Sequence, residues 1–216
     1  EICACLVGSE MCIRDRKRSG HGSLNVSEAI TNSCNVFFYE VGYQLGLNGD
    51  KYDQDLGNEK LAKYASMYGL NEKSGIEIEE SEPQISDALS VVSAIGQGTN
   101  NFTTVGLARY VTTVANSGTC YDLTLLDKVT DTSGNLLVNY SANVRNTIDM
   151  PQSYWNAIHQ GMRGVVQNKK YYQDFGVEVA GKTGTAEEDK SRPNHGLFVG
   201  YAPVSYTHLR AHETCA

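Results

Sequence analysis

Hydrophobic and polar positions switch between a helical and a strand-like period along most of the chain. After a turn-rich stretch at 19–23, Asn25 can cap a helix, and Glu28 three residues later completes an Asn version of the capping box. Ile30, Phe37, Val41 and Leu45 fall on one helical face and predict a single buried stripe running toward Gly42 and Gly46. Ser33-Cys34-Asn35 interrupts that stripe with two small polar side chains. A second helix is predicted over 59–68, with Leu61, Tyr64, Ala65 and Tyr68 inward and Gly69 as its stop. Residues 76–79 alternate like a half-buried strand or an extended loop. A short apolar run, 89–95, ends in Gly96-Gln97-Gly98. Thr103 or Thr104 can cap a helix over 105–116. Two strands, 123–129 and 136–140, flank the turn residues 131–135 as a hairpin. Ser153 can cap a helix carrying Trp155, Ile158, Met162 and Val165. Strands at 177–185 and 196–202, joined by a polar loop, read as an antiparallel pair. Helices in the middle and a terminal antiparallel pair make the fold class α+β.

The 216 residues suffice for one domain or part of a larger one, and 40% hydrophobic content lies far above a disordered composition. The net charge of -7 argues against a nucleic-acid partner, which would need a basic face. No apolar run reaches transmembrane length, and the first residues carry charges where a signal peptide has its apolar core. Cys3, Cys5, Cys12 and Cys215 crowd the two ends, leaving Cys34 and Cys120 in the body. No Cys-x-x-Cys occurs, so a zinc site is not expected. Residues 1–16 and 204–216 join neither neighbour in period. Both resemble translated sequencing-adapter read-through, in CLVGSEMCIRDR and VSYTHLRAHET. They are expected to be non-native segments, with 17–203 as the informative, internal piece.

The chemistry-bearing residues are Lys182-Thr183-Gly184-Thr185 on the first terminal strand and Ser33-x-Asn35, on a helix end or in a helix interior. A lysine beside two hydroxyls and a glycine suits an anionic acyl substrate held against a strand edge. Thr183 and Thr185 point to one side of the strand. The two motifs are 149 positions apart, so only the fold can join them. Cys34 reads as a small buried filler. Gln97 lines a cleft or sits in a plain turn. His21 and His195 lie beside glycines at loop edges and read as ordinary polar-loop residues, and Tyr171-Tyr172 carries no assigned role.

His21 to Tyr39, with Ser33-Cys34-Asn35, resembles the Ser-x-Asn region of class B penicillin-binding proteins. Ile95-Gly96-Gln97-Gly98 resembles their Gly-Gln-Gly segment. Ala180 to Ala186 and His195 to Pro203 resemble their last active-site strand and the strand pairing with it. The resemblance spans nearly all of 17–203. It implies the later part of a penicillin-binding, serine β-lactamase-like transpeptidase fold, truncated at both ends: an antiparallel sheet with a helical subdomain. The implied activity is peptidoglycan D,D-transpeptidation, in which a serine attacks a D-Ala-D-Ala stem peptide and an amine on a neighbouring strand takes the acyl group. Catalytic roles fall on Ser33, Asn35 and Lys182. Substrate binding falls on Thr183, Gly184, Thr185 and Gln97, with the Thr185 N–H as half of an oxyanion hole.

The implied partners are stem peptides, β-lactams and a membrane glycosyltransferase of the wall machinery. The implied location is the bacterial cell membrane, with the catalytic domain extracytoplasmic and its anchor outside this chain. No metal or organic cofactor is implied. No lysine has a serine three positions before it, so the family's Ser-x-x-Lys nucleophile is absent from the 216 residues. The polypeptide as it stands is therefore predicted to be inactive. A β-lactam sensor domain and a serine β-lactamase are the alternatives. The Gly-Gln-Gly segment and Phe198-Val199-Gly200-Tyr201-Ala202-Pro203 favour the transpeptidase over both.

Overall fold

The computed structural model describes residues 2–3, 20–170, 176–186, 193–204 and 208–213. Strand β1 (Ile2–Cys3) pairs with β2 (Ser23–Leu24). Helices α1 (Val26–Asn32) and α2 (Asn35–Leu45) follow, then the small hairpin β3 (Leu47–Asn48) and β4 (Lys51–Tyr52). Helices α3 (Gln54–Met67), α4 (Ser90–Ser93) and α5 (Thr104–Ala115) build the middle of the chain. Strand β5 (Thr119–Asp122) pairs with β8 (Asn143–Thr147), while β6 (Lys128–Thr130) pairs with β7 (Leu136–Asn139). Helix α6 (Gln152–Gln167) leads to β9 (Ala180–Ala186), β10 (His195–Val204) and β11 (His208–Glu213), a three-stranded antiparallel sheet in the order β11-β10-β9. Helices α6 and α5 pack on this sheet, and α1 packs on α6. Within the expected flanking segments, residues 1, 4–16, 205–207 and 214–216 lie outside the described residues, as do Tyr171, Tyr172 and most of the polar loop after β9.

The single helix expected after Asn25 is two helices. Its start is as expected: Asn25 Oδ1 accepts from the Glu28 N–H at 2.9 Å, and Glu28 Oε2 accepts from the Asn25 N–H at 2.9 Å. Its apolar stripe, however, serves two cores. Ile30 packs with Val111, Val114, Met162, Ala180 and Tyr201 against the sheet. Phe37 packs with Leu24, Ala29 and Cys34. The chain turns between them at Ser33, which is left-handed (φ 50, ψ 49) and closes α1 with its N–H on the Ile30 carbonyl at 3.1 Å. Cys34 is buried at 1% exposure, as a space-filling role requires.

Other boundaries move for local reasons. Helix α3 starts earlier than expected because Asp53 caps it, accepting from the Asp55 and Leu56 N–H groups. Thr103, not Thr104, caps α5 through the Gly106 N–H at 3.1 Å. Helix α6 begins after Pro151 with no side-chain cap, so Ser153 lies inside its first turn. The apolar run at 89–95 supplies the short α4. Residues 76–79 are loop, and Ile78 is largely exposed. The strand expected over 123–129 forms only at its end. Glu77 holds its start as a turn, accepting from the Thr124 hydroxyl and from the Leu125 N–H at 2.9 Å. The hairpin turn is as expected, with Asp131 Oδ1 accepting from the N–H groups of Ser133 and Asn135, each at 2.8 Å.

Candidate active site

The site is an edge strand faced by a helix elbow. Among the described residues strand β9 is the edge of its sheet, and β10 covers its other side, with Thr185 opposite Gly196 and Lys182 opposite Val199. Gly181 lets this pairing close tightly: a Cβ there would come within 2.7 Å of the Val199 carbonyl and against the Phe198 ring. Helix α6 lies along β9, and Arg163 of α6 fixes the approach to the strand. Its Nη1 donates to the Val179 carbonyl at 2.8 Å, and its Nη2 pairs with Glu178 at 3.1 Å.

Helix α1 rests on α6 through small residues and two hydrogen bonds. Ser27 Oγ donates to the Ala157 carbonyl at 2.7 Å, and Thr31 Oγ1 donates to the Gly161 carbonyl at 3.0 Å. Gly161 and Gly164 admit Ile30 and Thr31, which occupy the places their side chains would take. The left-handed Ser33 at the end of α1 is thus held over β9. Lys182 Nζ donates to Ser33 Oγ at 2.5 Å and to the Thr183 carbonyl at 2.8 Å.

The structure therefore joins Ser33 and Lys182, the pair that lies 149 positions apart in sequence. Asn35 is the first residue of α2, half-buried and two positions past Ser33 on the same elbow. Gly184 and Thr185 are exposed on β9. Gln97 sits between two left-handed glycines, Gly96 (φ 83) and Gly98 (φ 92), and its Nε2 donates to the Thr185 carbonyl at 3.2 Å. His195 opens β10, opposite Ala186 at the end of β9, and His21 precedes β2. Arg163 was not visible as a site residue from sequence. Its only signal is a cation on α6 ahead of the lysine strand.

Chemically, the pair is suited to moving a proton. Lys182 donates to the Ser33 oxygen, so the serine's own O–H is left to donate elsewhere. A proton leaving through that hydroxyl can be replaced from the ammonium behind it. Glu187 and Glu188, the acidic residues after β9, fall outside the described residues. Burial in the core pushes the Tyr201 phenol, on β10 opposite Ala180, up to about 12, which keeps it neutral. Among the described residues no group of three His, Cys, Asp or Glu side chains is arranged to hold a metal ion.

Residues 8–209 match the family described as penicillin-binding protein transpeptidase domain. The chain belongs to this family, in its class B branch. It is 27% identical over 236 residues to the peptidoglycan D,D-transpeptidase MrdA of Haemophilus influenzae, covering 92% of this chain and 34% of that protein. It is 28% identical over 205 residues to stage V sporulation protein D of Bacillus subtilis, covering 89% of this chain and 30% of that one. Among solved structures, penicillin-binding protein 2B of Streptococcus pneumoniae superposes with a TM-score of 0.78 at 22% identity, covering 92% of this chain and 36% of that chain. The α+β penicillin-binding fold inferred from the sequence is thus the fold observed. The chain spans about a third of the length of the curated relatives it matches.

Proposed function

We propose that this chain carries the acyl-donor wall of a peptidoglycan D,D-transpeptidase that cross-links stem peptides in the bacterial wall. The observation that supports this most is the 2.5 Å contact between Lys182 and Ser33, made across 149 positions by residues of two family motifs. In this reading Lys182 supplies positive charge beside the substrate carboxylate and the Ser33 hydroxyl. Ser33 hands a proton to the leaving nitrogen as the tetrahedral intermediate collapses. Asn35 hydrogen-bonds the substrate amide. The Thr183 and Thr185 hydroxyls bind the terminal carboxylate, Gly184 leaves room for the peptide, and the Thr185 N–H is half of the oxyanion hole. Gln97 borders the same cleft.

The 216-residue polypeptide has no Ser-x-x-Lys, so it forms no acyl-enzyme by itself. A fluorescent penicillin that labels it and survives denaturation would overturn this. Residues 17–203 are the native part and the flanking strings are read-through; sequencing the genomic locus tests that directly. The whole protein works at the outer face of the bacterial cell membrane, beside a glycosyltransferase of the wall machinery, and takes β-lactams in place of stem peptides. The experiment for the function itself is to express the chain encoded at the locus, with its Ser-x-x-Lys, and follow D-Ala release from a D-Ala-D-Ala peptide. Release that Lys182→Ala abolishes supports the reading, and release indifferent to Lys182 sinks it.

A further inference from the structure

The carbonyls of β9 reveal which way its strand edge faces. In a strand, the N–H and C=O of one residue point to the same side, and the side alternates from residue to residue. Lys182 Nζ reaches the Thr183 carbonyl and Gln97 Nε2 reaches the Thr185 carbonyl. Neither carbonyl is directed into the β10 ladder at these contacts, so both face the open edge of the sheet. The N–H of Thr185 faces that edge too. Gln97 thus holds the residue whose N–H aims into the cleft, by taking the other polar group of the same residue.

Gln97 is itself anchored from behind. Asn100 Nδ2 donates to the Gln97 carbonyl at 3.2 Å, and Asn100 Oδ1 accepts from the Ser86 N–H at 2.8 Å. Ser86 is buried at 5% exposure, and its hydroxyl accepts from Ser93 Oγ at 2.8 Å and from the N–H groups of Ala88 and Thr99, each at 3.2 Å. Gly98 passes directly over Ser86, where a Cβ would also meet Ala88 at 2.9 Å. Thr99 Oγ1 closes the far side on Asp87 at 2.5 Å. One buried hydroxyl therefore fixes the glycine turn, and the turn fixes Gln97.

We propose that Gln97 is a positioning residue that, held by the Ser86–Asn100 network, orients Thr185 at the open edge of β9 so that its N–H is set for an acyl oxygen. Gln97 spends its donor on the protein strand and acts on the ligand through Thr185. The inference rests on the acyl-donor reading of β9 given above.

The test uses the genomically encoded chain labelled for NMR, with acetyl-D-Ala-D-Ala as the probe. Gln97→Glu keeps the shape and replaces the donor with an acceptor, and Gln97→Met keeps the length without polarity. Both are expected to move the Thr185 carbonyl carbon signal in the free protein and to weaken dipeptide binding roughly 3- to 10-fold, the weight of one hydrogen bond. The melting temperature should not change, because the side chain leaves no core. Ser86→Ala should move the same Thr185 signal without touching Gln97. An unmoved Thr185 signal overturns the proposal, and so does a moved signal with unchanged affinity. Weakened binding with an unmoved signal makes Gln97 a direct ligand contact and overturns it as well. If the unmutated chain takes up no dipeptide, the proposed function fails, while an unmoved Thr185 signal would still refute the positioning role and a moved one would uphold it.

Discussion

Replacing Gly161 with alanine tests how the serine elbow is held over the lysine strand. The added Cβ would lie 2.8 Å from Ile30 Cβ and 2.9 Å from the Ser27 carbonyl. Carbon atoms rest about 3.5–4.0 Å apart, so α1 must withdraw by roughly 1 Å. No rotamer relieves this, because the atoms met are a backbone oxygen and a Cβ. The withdrawal stretches two hydrogen bonds, Ser27 to Ala157 and Thr31 to Gly161. Those bonds contribute about 1 kcal/mol each, and overpacking adds ~1–3 kcal/mol. Alanine's better helix propensity offsets about 1 kcal/mol. The expected net loss is therefore ~2–4 kcal/mol by urea unfolding, with Ser33 drawn away from Lys182. Gly176, with open space around its Cα, is the control and should change stability by no more than about 0.5 kcal/mol. A Gly161→Ala protein as stable as the unmutated chain would refute the packing argument.

Arg163→Met removes both the donor to the Val179 carbonyl and the pair with Glu178, and it should loosen the start of β9 before any other strand in hydrogen exchange. Uniform exchange across the sheet would contradict that role. Burial raises the phenols of Tyr68 and Tyr201 to about 12 from an ordinary value near 10, with Tyr110 adding to the Tyr68 shift. Their neutral forms are favoured by the fold. That stability is complete below about pH 10 and is lost as pH rises toward 12. Tyr201→Phe should therefore flatten the alkaline unfolding curve, read with tyrosinate absorbance, and an unchanged curve would show that the phenol does not govern it. The Asn135 side-chain amide, and then its backbone N–H, hold the Asp131 carboxyl below the usual carboxylate range. Its contribution to the β6–β7 turn is present above that range and is lost as pH falls through the lowered value. The amide signals of Ser133 and Asn135 should shift in that acidic window and should stay flat in Asp131→Ala.

What the sequence made legible follows from the range of each interaction. The capping box of α1 and the Asp131 turn are local patterns, and each formed where its residues predicted; the antiparallel pair β9–β10 formed as well, with β9 starting at Ala180 rather than at Val177. The motif residues were legible through resemblance, since neither Ser33-x-Asn35 nor Lys182-Thr183-Gly184 stands out alone. The elbow at Ser33 was hidden because Ile30 and Phe37 keep helical spacing while serving two different cores. The shortened β6 was hidden because Glu77, some fifty positions away, supplies the bonds that turn Thr124 and Leu125 out of a strand. Strand β8 carries Asn143, Arg145 and Asn146, and its pairing with β5 has no apolar alternation to announce it. The Gln97–Thr185 contact depends on the same long-range closure, and no spacing encodes it.

In the proposed function Lys182 and Ser33, joined across the chain, are working parts of an acyl-transfer site. The most direct measurement is the rate at which a fluorescent penicillin acylates the genomically encoded chain, compared among the unmutated protein, Ser33→Ala and Lys182→Ala. Acylation of the unmutated protein, slowed about 10²- to 10⁴-fold by either substitution with the fold intact, is the predicted result. A chain bearing its own Ser-x-x-Lys that is not acylated, or is acylated equally well without Lys182, would contradict it.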